Sequence, residues 1–309
     1  MLSAAVRQIT HAIVNHCAHR SFFPSSWYIT ITMKFGCHVS IAGGIDKAPE
    51  RARALGCECF QIFSRSPRGG KPAPLTDSLV ASFKDSCAEF GLSDYFIHTP
   101  YYINLASEKP DLRESSVRII REELERGTVI GAKYIMTHLG SSKGIDRSVA
   151  VGRVVEGVAA ILEGSGGLTT ELLLENTAGQ GETIGDSFPE LARIINEIKN
   201  PRLGICLDTA HLLASGYDIR TNAAVDKTLD EFSSLIDPAR IRLLHGNDSK
   251  IPLGEKKDRH EHIGKGKIGT AGFKAIVNHP LLKGLDMIVE IPPEEVEKDI
   301  ELLKSLRKK

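Results

Sequence analysis

The stretch LGICLDTAHLLASG (residues 203–216) places an acid and a histidine at the end of an apolar run. A short, continuous apolar run is typical of a strand buried on both faces of a parallel sheet. Asp208 ends this run, and His211 follows three residues later. Two interpretations fit this spacing: Asp208 caps a helix beside an unrelated histidine, or both side chains bind metal.

The same arrangement, a short apolar run followed by a longer amphipathic run, occurs eight times after Met33. The predicted strands are residues 34–40, 59–64, 95–98, 133–138, 171–175, 203–208, 241–245 and 286–290. The predicted helices are residues 44–56, 75–91, 110–131, 146–164, 188–198, 222–236, 271–278 and 293–309. Eight strand–helix units predict an α/β protein with a closed parallel sheet, the (β/α)8 TIM barrel. A doubly wound open sheet is the alternative.

Six consecutive predicted strands end in a histidine or a carboxylate. These residues are His98, His138, Glu175, Asp208, His245 and Glu290. In a barrel, the C-terminal ends of the strands meet at one rim, where active sites are built. Unpaired buried charges are costly, so divalent cations are expected among these side chains. Three further candidate ligands follow in predicted loops, namely His211, Asp258 and His260. We therefore predict a metal site at the C-terminal rim.

Composition excludes several classes of protein. The chain has 309 residues, 41% of them hydrophobic, and a formal net charge of zero. No apolar run approaches the ~18 residues of a membrane-spanning helix, so no membrane partner is expected. The charge balance argues against broad, non-specific nucleic-acid binding, but it permits a local basic face or a charge supplied by metal ions. The six cysteines are scattered, which predicts free thiols in a reducing, cytoplasmic environment.

Residues 1–32 differ from the rest of the chain, because they contain no acid and include the only tryptophan. A transit peptide is one interpretation of such a segment. The favoured interpretation is an N-terminal extension that is disordered or lies upstream of the true start at Met33. Residues 33–309 are then expected to form a single barrel domain.

Several long motifs resemble the endonuclease IV family of apurinic/apyrimidinic endonucleases, also called AP endonuclease family 2. The motifs are GCHVSIAGG, FIHTPYYINLAS, THLGSSKG, LLLENTAGQG, CLDTAHLLASGYDIR, LLHGNDSK, DRHEHIGKGKIG and IVEIPP. They occur in order from about Met33 to the C-terminus. The family resemblance implies a TIM barrel, in agreement with the count of strands.

The resemblance also implies three zinc ions per chain, with manganese or iron as alternatives at some sites. The implied ligands of the first zinc ion are His98, His138 and Glu175. The implied ligands of the second are Glu175, Asp208, His245 and Glu290, and those of the third are His211, Asp258 and His260. Glu175 would bridge the first two ions and is the expected catalytic residue.

The implied activity is zinc-dependent hydrolysis of the phosphodiester bond on the 5′ side of an abasic site in base excision repair. The products would be a 3′-hydroxyl and a 5′-deoxyribose phosphate, and the enzyme would also remove blocked 3′ ends. Divalent metal ions can activate water and neutralise phosphate oxygens. Specificity would come from extruding the abasic sugar into a pocket too tight for a normal base. The expected partner is double-stranded DNA carrying these lesions, bound by a monomer.

The segment SRSPRGGK (64–71) resembles the family's DNA-recognition loop. The candidate DNA contacts are Arg65, Arg68 and Lys71 in this loop, together with Tyr101, Asn247 and Lys250. Arg68 is expected to enter the minor groove. Gly69 and Gly70 stand where family members often carry a bulky residue, which argues against a wedge-like role. An ordinary solvated loop is the alternative interpretation.

Two other functions compete with the nuclease. A sugar isomerase or epimerase would use Glu175, Asp208, His245 and Glu290 around one or two metal ions, but it would not need the other five candidate ligands. A non-catalytic DNA-damage binding protein is the second alternative, and the intact set of candidate ligands argues against it.

Overall fold

The structure is a computed structural model that describes residues 32–291 and 294–308. Eight parallel strands form a closed barrel in which each strand pairs with its neighbours along the chain. The barrel strands are β1 (Phe35–His38), β2 (Cys59–Ile62), β3 (Tyr95–His98), β4 (Tyr134–Thr137), β5 (Glu171–Glu175), β6 (Leu203–Asp208), β7 (Ile241–His245) and β10 (Asp286–Val289). The predicted (β/α)8 barrel is confirmed, and the open sheet is excluded.

Helices follow the barrel strands along the chain. They are α1 (Ala48–Ala54), α2 (Asp77–Glu89), α3 (Pro110–Ile130), α4 (Arg147–Glu163), α5 (Phe188–Ile198), α6 (Thr209–Ser215), α7 (Asn222–Leu235), α8 (Gly269–Asn278) and α9 (Val296–Leu306). The strands are mainly apolar because one face packs inside the barrel and the other packs under the surrounding helices. The interior cluster includes Phe96, Met136, Leu173 and Ile288.

Helix α6 is not among the eight predicted helices, although a helix capped by Asp208 was one of the two interpretations of the spacing, and it changes the environment of His211. The Asp208 carboxylate accepts a hydrogen bond from the backbone N–H of His211 at 2.7 Å, which caps the helix. The helix ends at Gly216, which adopts a left-handed φ of 111° that glycine adopts without steric cost. The prediction that His211 lies in a loop is wrong, since the residue is buried in the first turn of α6.

Two predicted strand ends are displaced by one residue. Strand β4 ends at Thr137 and β10 ends at Val289, so His138 and Glu290 are the first residues beyond their strands. Both side chains still face the C-terminal rim, as the contacts below establish. The long polar segment after β7 contains an unpredicted antiparallel hairpin of β8 (Asp248–Ser249) and β9 (His260–Glu261).

Three further predictions concern the N-terminal extension, the cysteine thiols and membrane-spanning helices. The predicted extension lies outside the described residues except for Thr32. The five cysteines in the described part of the chain are free and buried, as predicted. Among residues 32–291 and 294–308, no helix has both the length and the apolar character required to cross a bilayer.

Candidate metal centre at the C-terminal rim

The first group of candidate ligands consists of His98, His138 and Glu175. One potential ligand atom from each residue lies within 4.8 Å of the others. His98 Nε2 is 3.1 Å from Glu175 Oε2, and His138 Nε2 is 3.7 Å from the same oxygen. Strands β3, β4 and β5 are neighbours in the barrel, so their C-terminal ends bring these residues together.

The second group consists of Glu175, Asp208, His245 and Glu290, which also meet within 4.8 Å. His245 Nδ1 lies 2.9 Å from Glu175 Oε1 and 3.0 Å from Glu290 Oε2. Glu175 therefore points one oxygen at each group. This geometry suits a carboxylate that bridges two metal ions.

The third group consists of His211, Asp258 and His260. Asp258 lies 3.3 Å from His211 Nε2 through Oδ2 and 3.2 Å from His260 Nε2 through Oδ1. Asp208 also lies within 4.8 Å of both histidines. Asp208 thus contacts the second and third groups, whereas the sequence assigned it to the second alone.

The orientation of the histidines fits a metal centre. The Nδ1–H groups of His98, His211 and His260 donate to backbone carbonyls at 2.6, 2.9 and 3.0 Å respectively. Such a bond fixes the ring and leaves Nε2 free as a ligand. His260 Nε2 is buried and has no hydrogen-bond partner among the described residues. A divalent cation would satisfy this nitrogen, so the residues present fit zinc.

Mutual electrostatics shift the pKa values of these groups strongly. Burial alone lowers the pKa of His211 and His260, but the negative charges of Asp208 and Asp258 raise these values to about 10 and about 9. Burial raises the pKa of Glu175, yet the charges of His138 and His245 bring it well below its ordinary range. In the metal-free rim these shifts favour an ionised Glu175 and protonated His211 and His260, whereas burial lowers the pKa of His138.

Asn247 lies beneath the second group rather than at the surface of the protein. Its side chain is fully buried. Its Nδ2 donates to Asp208 Oδ2 at 2.6 Å, and its Oδ1 accepts from the backbone N–H of Glu290 at 2.7 Å. The predicted contact between Asn247 and a DNA phosphate is contradicted by this burial. Its observed contacts instead orient two candidate metal ligands.

Gln61 is a supporting residue that the sequence analysis missed. Its side chain is fully buried at β2. Its Nε2 donates to Glu290 Oε1 at 2.6 Å, and its Oε1 accepts from His245 Nε2 at 2.9 Å. His38, 3.0 Å from Gln61 Nε2, adjoins this pair. A polar residue inside the apolar run CFQIF was the signal that could have revealed Gln61.

The predicted recognition loop has one buried and two exposed basic residues. Arg65 is buried and forms ion pairs with Glu122 and Glu123 of α3. Its predicted phosphate contact is contradicted, because the guanidinium is committed to these carboxylates. Arg68 and Lys71 are exposed.

Tyr101 and Lys250 are also exposed near the rim. Tyr101 has 69% of its surface accessible, and its ring packs edge-on against Phe63 with centroids 5.2 Å apart. A cavity of about 480 Å³ lies beside this tyrosine and is lined by residues that include His138, His211 and Asp258. Its volume falls in the range of pockets that hold small ligands, and it opens directly onto the first and third groups.

Comparison with known proteins identifies the family. A family profile described as the xylose isomerase-like TIM barrel matches residues 49–306. A probable endonuclease 4 from Methanoculleus marisnigri is 43% identical over 265 residues, which cover 85% of this chain and 94% of that protein. This chain belongs to the endonuclease IV family. A second endonuclease IV relative, the probable endonuclease 4 of Halothermothrix orenii, is 40% identical and covers 89% of this chain and 100% of its own.

Solved structures agree with membership in the endonuclease IV family. Endonuclease IV from Thermus thermophilus superimposes with a TM-score of 0.78 at 35% identity, covering 88% of this chain and 98% of that one. A D-tagatose 3-epimerase-like protein has a TM-score of 0.70 at 18% identity, covering 89% of this chain and 97% of that one. At that identity the second comparison establishes the shared fold alone.

Proposed function

We propose that this protein is a zinc-dependent apurinic/apyrimidinic endonuclease that cuts the phosphodiester bond on the 5′ side of an abasic site. The observation that carries the proposal is the position of Glu175, which is fully buried between the first and second groups. The three groups supply enough ligands for three zinc ions. Membership in the endonuclease IV family supports DNA as the substrate.

Zinc ions held by these groups would supply Lewis acidity and a water of lowered pKa at neutral pH. The chain itself fixes where that chemistry occurs. Glu175 sets the spacing of the first two groups, and Asp208 links the second to the third. Gln61 and Asn247 hold the ligand side chains from below, so that little reorganisation is needed when charge develops on the phosphate.

DNA would approach from the loops above this rim. Arg68, Lys71 and Lys250 are exposed cations that can contact phosphates. Tyr101 stands at the mouth of the 480 Å³ cavity, where an extruded abasic sugar would enter. Because this volume is not small, rejection of a normal base would depend on the shape of the cavity. The monomeric state and removal of blocked 3′ ends belong to the same proposal.

The main rival is a sugar epimerase with the same fold. An epimerase needs only the second group around its metal ion. The first and third groups, with His98, His138, His211, Asp258 and His260, favour a centre of three ions and a phosphodiester substrate.

The test uses an end-labelled duplex with one abasic site and a matched duplex without it. Zinc-loaded protein is expected to cut only the abasic duplex, immediately 5′ to the lesion, and to leave a 3′-hydroxyl that a polymerase can extend. Addition of 1,10-phenanthroline should abolish cutting. Intact abasic DNA after incubation with zinc-loaded protein would overturn the proposal.

A further inference from the structure

Asp248 is a fully buried carboxylate just after β7 that takes no part in the three groups. Its two oxygens accept five backbone N–H bonds at 2.8–3.1 Å. The donors are Ser249, Gly264, Gly266, Ile268 and Gly269. Within the described residues, no lysine, arginine or histidine forms an ion pair with Asp248, so backbone dipoles alone stabilise its charge.

Four of these donors lie in IGKGKIG (263–269), a motif whose glycines have no role in the proposed chemistry. Gly264 and Gly269 adopt left-handed φ angles of 80° and 72°, which glycine tolerates best. A Cβ on Gly266 would lie 2.4 Å from Asp248 Oδ1 and 2.5 Å from the Ser249 carbonyl oxygen. The segment is therefore shaped to wrap closely around one carboxylate.

Backbone hydrogen bonds beside Asp248 also hold the stretch that contains Asp258 and His260, two members of the third group. Strand β8 pairs with β9 so that Ser249 lies opposite His260. The Lys250 N–H donates to the Arg259 carbonyl at 3.0 Å, and the Lys267 N–H donates to the Ser249 carbonyl at 2.7 Å. Arg259 and Lys267 are thereby bonded to Lys250 and Ser249, the two residues that follow Asp248.

We propose that Asp248 is a positioning residue for the third metal ion, because it folds residues 250–269 so that Asp258 and His260 face His211. This inference rests on the proposed three-zinc centre. Asp248 does not touch metal or DNA in this account. It acts through the backbone of the segment, and its effect is specific to the third group, since the first and second groups lie on barrel strands or directly after them.

The test measures zinc per chain by plasma mass spectrometry after equilibration of wild type and Asp248→Asn at a series of buffered free zinc concentrations. Asparagine has nearly the same size as aspartate, but its NH₂ group would face the backbone N–H donors and could not accept their hydrogen bonds. We expect wild type to bind about three ions and the variant to keep two with unchanged affinity. The affinity for the remaining ion should fall by about 10- to 100-fold, as for other residues that orient metal ligands.

Glu123→Gln is the matched control, since Glu123 is also a fully buried carboxylate but bonds Ser64 and Arg65. This variant should lose stability and still bind three ions. If Asp248→Asn does not fold, Gly266→Ala disturbs the same contact from the other side and should lose the same single ion. A folded variant at either position that binds three ions with wild-type affinity overturns the inference. A wild type that never binds a third ion would instead refute the three-zinc centre, and this inference with it.

Discussion

The two ends of the barrel neutralise their carboxylates in different ways. At the N-terminal end, Asp94 forms ion pairs with Lys34 and Lys133. At the C-terminal end, the ion-pair partners of Glu175 and Glu290 are imidazoles, and no lysine or arginine pairs with them in the described residues.

This difference separates a structural rim from a functional one. A lysine ammonium is a permanent cation with no lone pair to offer, so Asp94 is permanently neutralised. An imidazole can lose its proton and become a metal ligand. The C-terminal rim therefore has a charge balance that metal ions can replace, whereas the N-terminal rim does not.

The largest expected effect comes from Glu175→Gln. Loss of the shared carboxylate should reduce cleavage of an abasic duplex by at least about 10³-fold, because the groups that stabilise the developing charge lose their alignment. Steady-state cleavage assays on folded, zinc-equilibrated protein measure the effect.

Glu171→Gln is the control at the opposite end of the same strand, β5. It removes a carboxylate from the N-terminal rim and should leave cleavage within about twofold of wild type, because surface and rim changes away from a site have small effects. Equal losses of cleavage in Glu175→Gln and Glu171→Gln would contradict the proposed difference between the two rims.

The barrel and the position of six candidate ligands at its rim could be predicted because both follow from local patterns. Continuous apolar runs mark buried strands, and a histidine or carboxylate at the end of six of these runs marks the rim. His98, Glu175, Asp208 and His245 end their strands as predicted, while His138 and Glu290 lie one residue beyond.

The partners of buried polar groups were not predictable in the same way. Arg65 and Lys71 look alike in a basic loop, yet only Arg65 meets the carboxylates of a distant helix. Asn247 and Gln61 depend on contacts between strands far apart in sequence. Helix α6 spans only seven residues, too few to give a clear period.

A second test concerns the buried carboxylate that pairs with arginine. Arg65→Met leaves Glu123 buried without its cation, which should lower the free energy of unfolding by about 3 kcal/mol. Urea denaturation should give the same loss with and without zinc, because neither residue of this pair belongs to the three groups of candidate ligands. The double variant Arg65→Met/Glu123→Leu should recover part of the loss. A loss of unfolding free energy that depends on zinc would show that the Arg65–Glu123 pair is coupled to the metal centre and would contradict this prediction.

A smaller effect is expected at Asp286, which begins β10 on the N-terminal side. Burial and the charge of Asp94 raise its pKa to about 6, despite opposing effects of Lys133 and Lys34. The folded state thus favours the neutral carboxyl, and this contribution to stability disappears as the pH rises through 6. Asp286→Asn should raise the free energy of unfolding by about 1–2 kcal/mol at pH 7.5. This gain in the free energy of unfolding should become smaller toward pH 5. A gain that does not change with pH would contradict the raised pKa of Asp286.

The smallest effect separates lysines at the two ends. Lys71→Ala should reduce the slope of log affinity against log salt by about 1 for abasic DNA, as expected for one lost phosphate contact. Lys133→Ala, at the N-terminal rim, should leave that slope unchanged. Fluorescence anisotropy at several salt concentrations measures the slope for both variants. An equal decrease in the slope for Lys133→Ala would contradict binding of DNA at the C-terminal rim.

The most direct test of the three-zinc nuclease is a zinc titration of metal-free protein, with bound zinc and abasic-site cleavage measured on the same samples. The account predicts that cleavage is absent without zinc and reaches its maximum as the third ion binds. Full occupancy at one ion per chain, with no cleavage of abasic DNA at any zinc content, would contradict it and favour the epimerase.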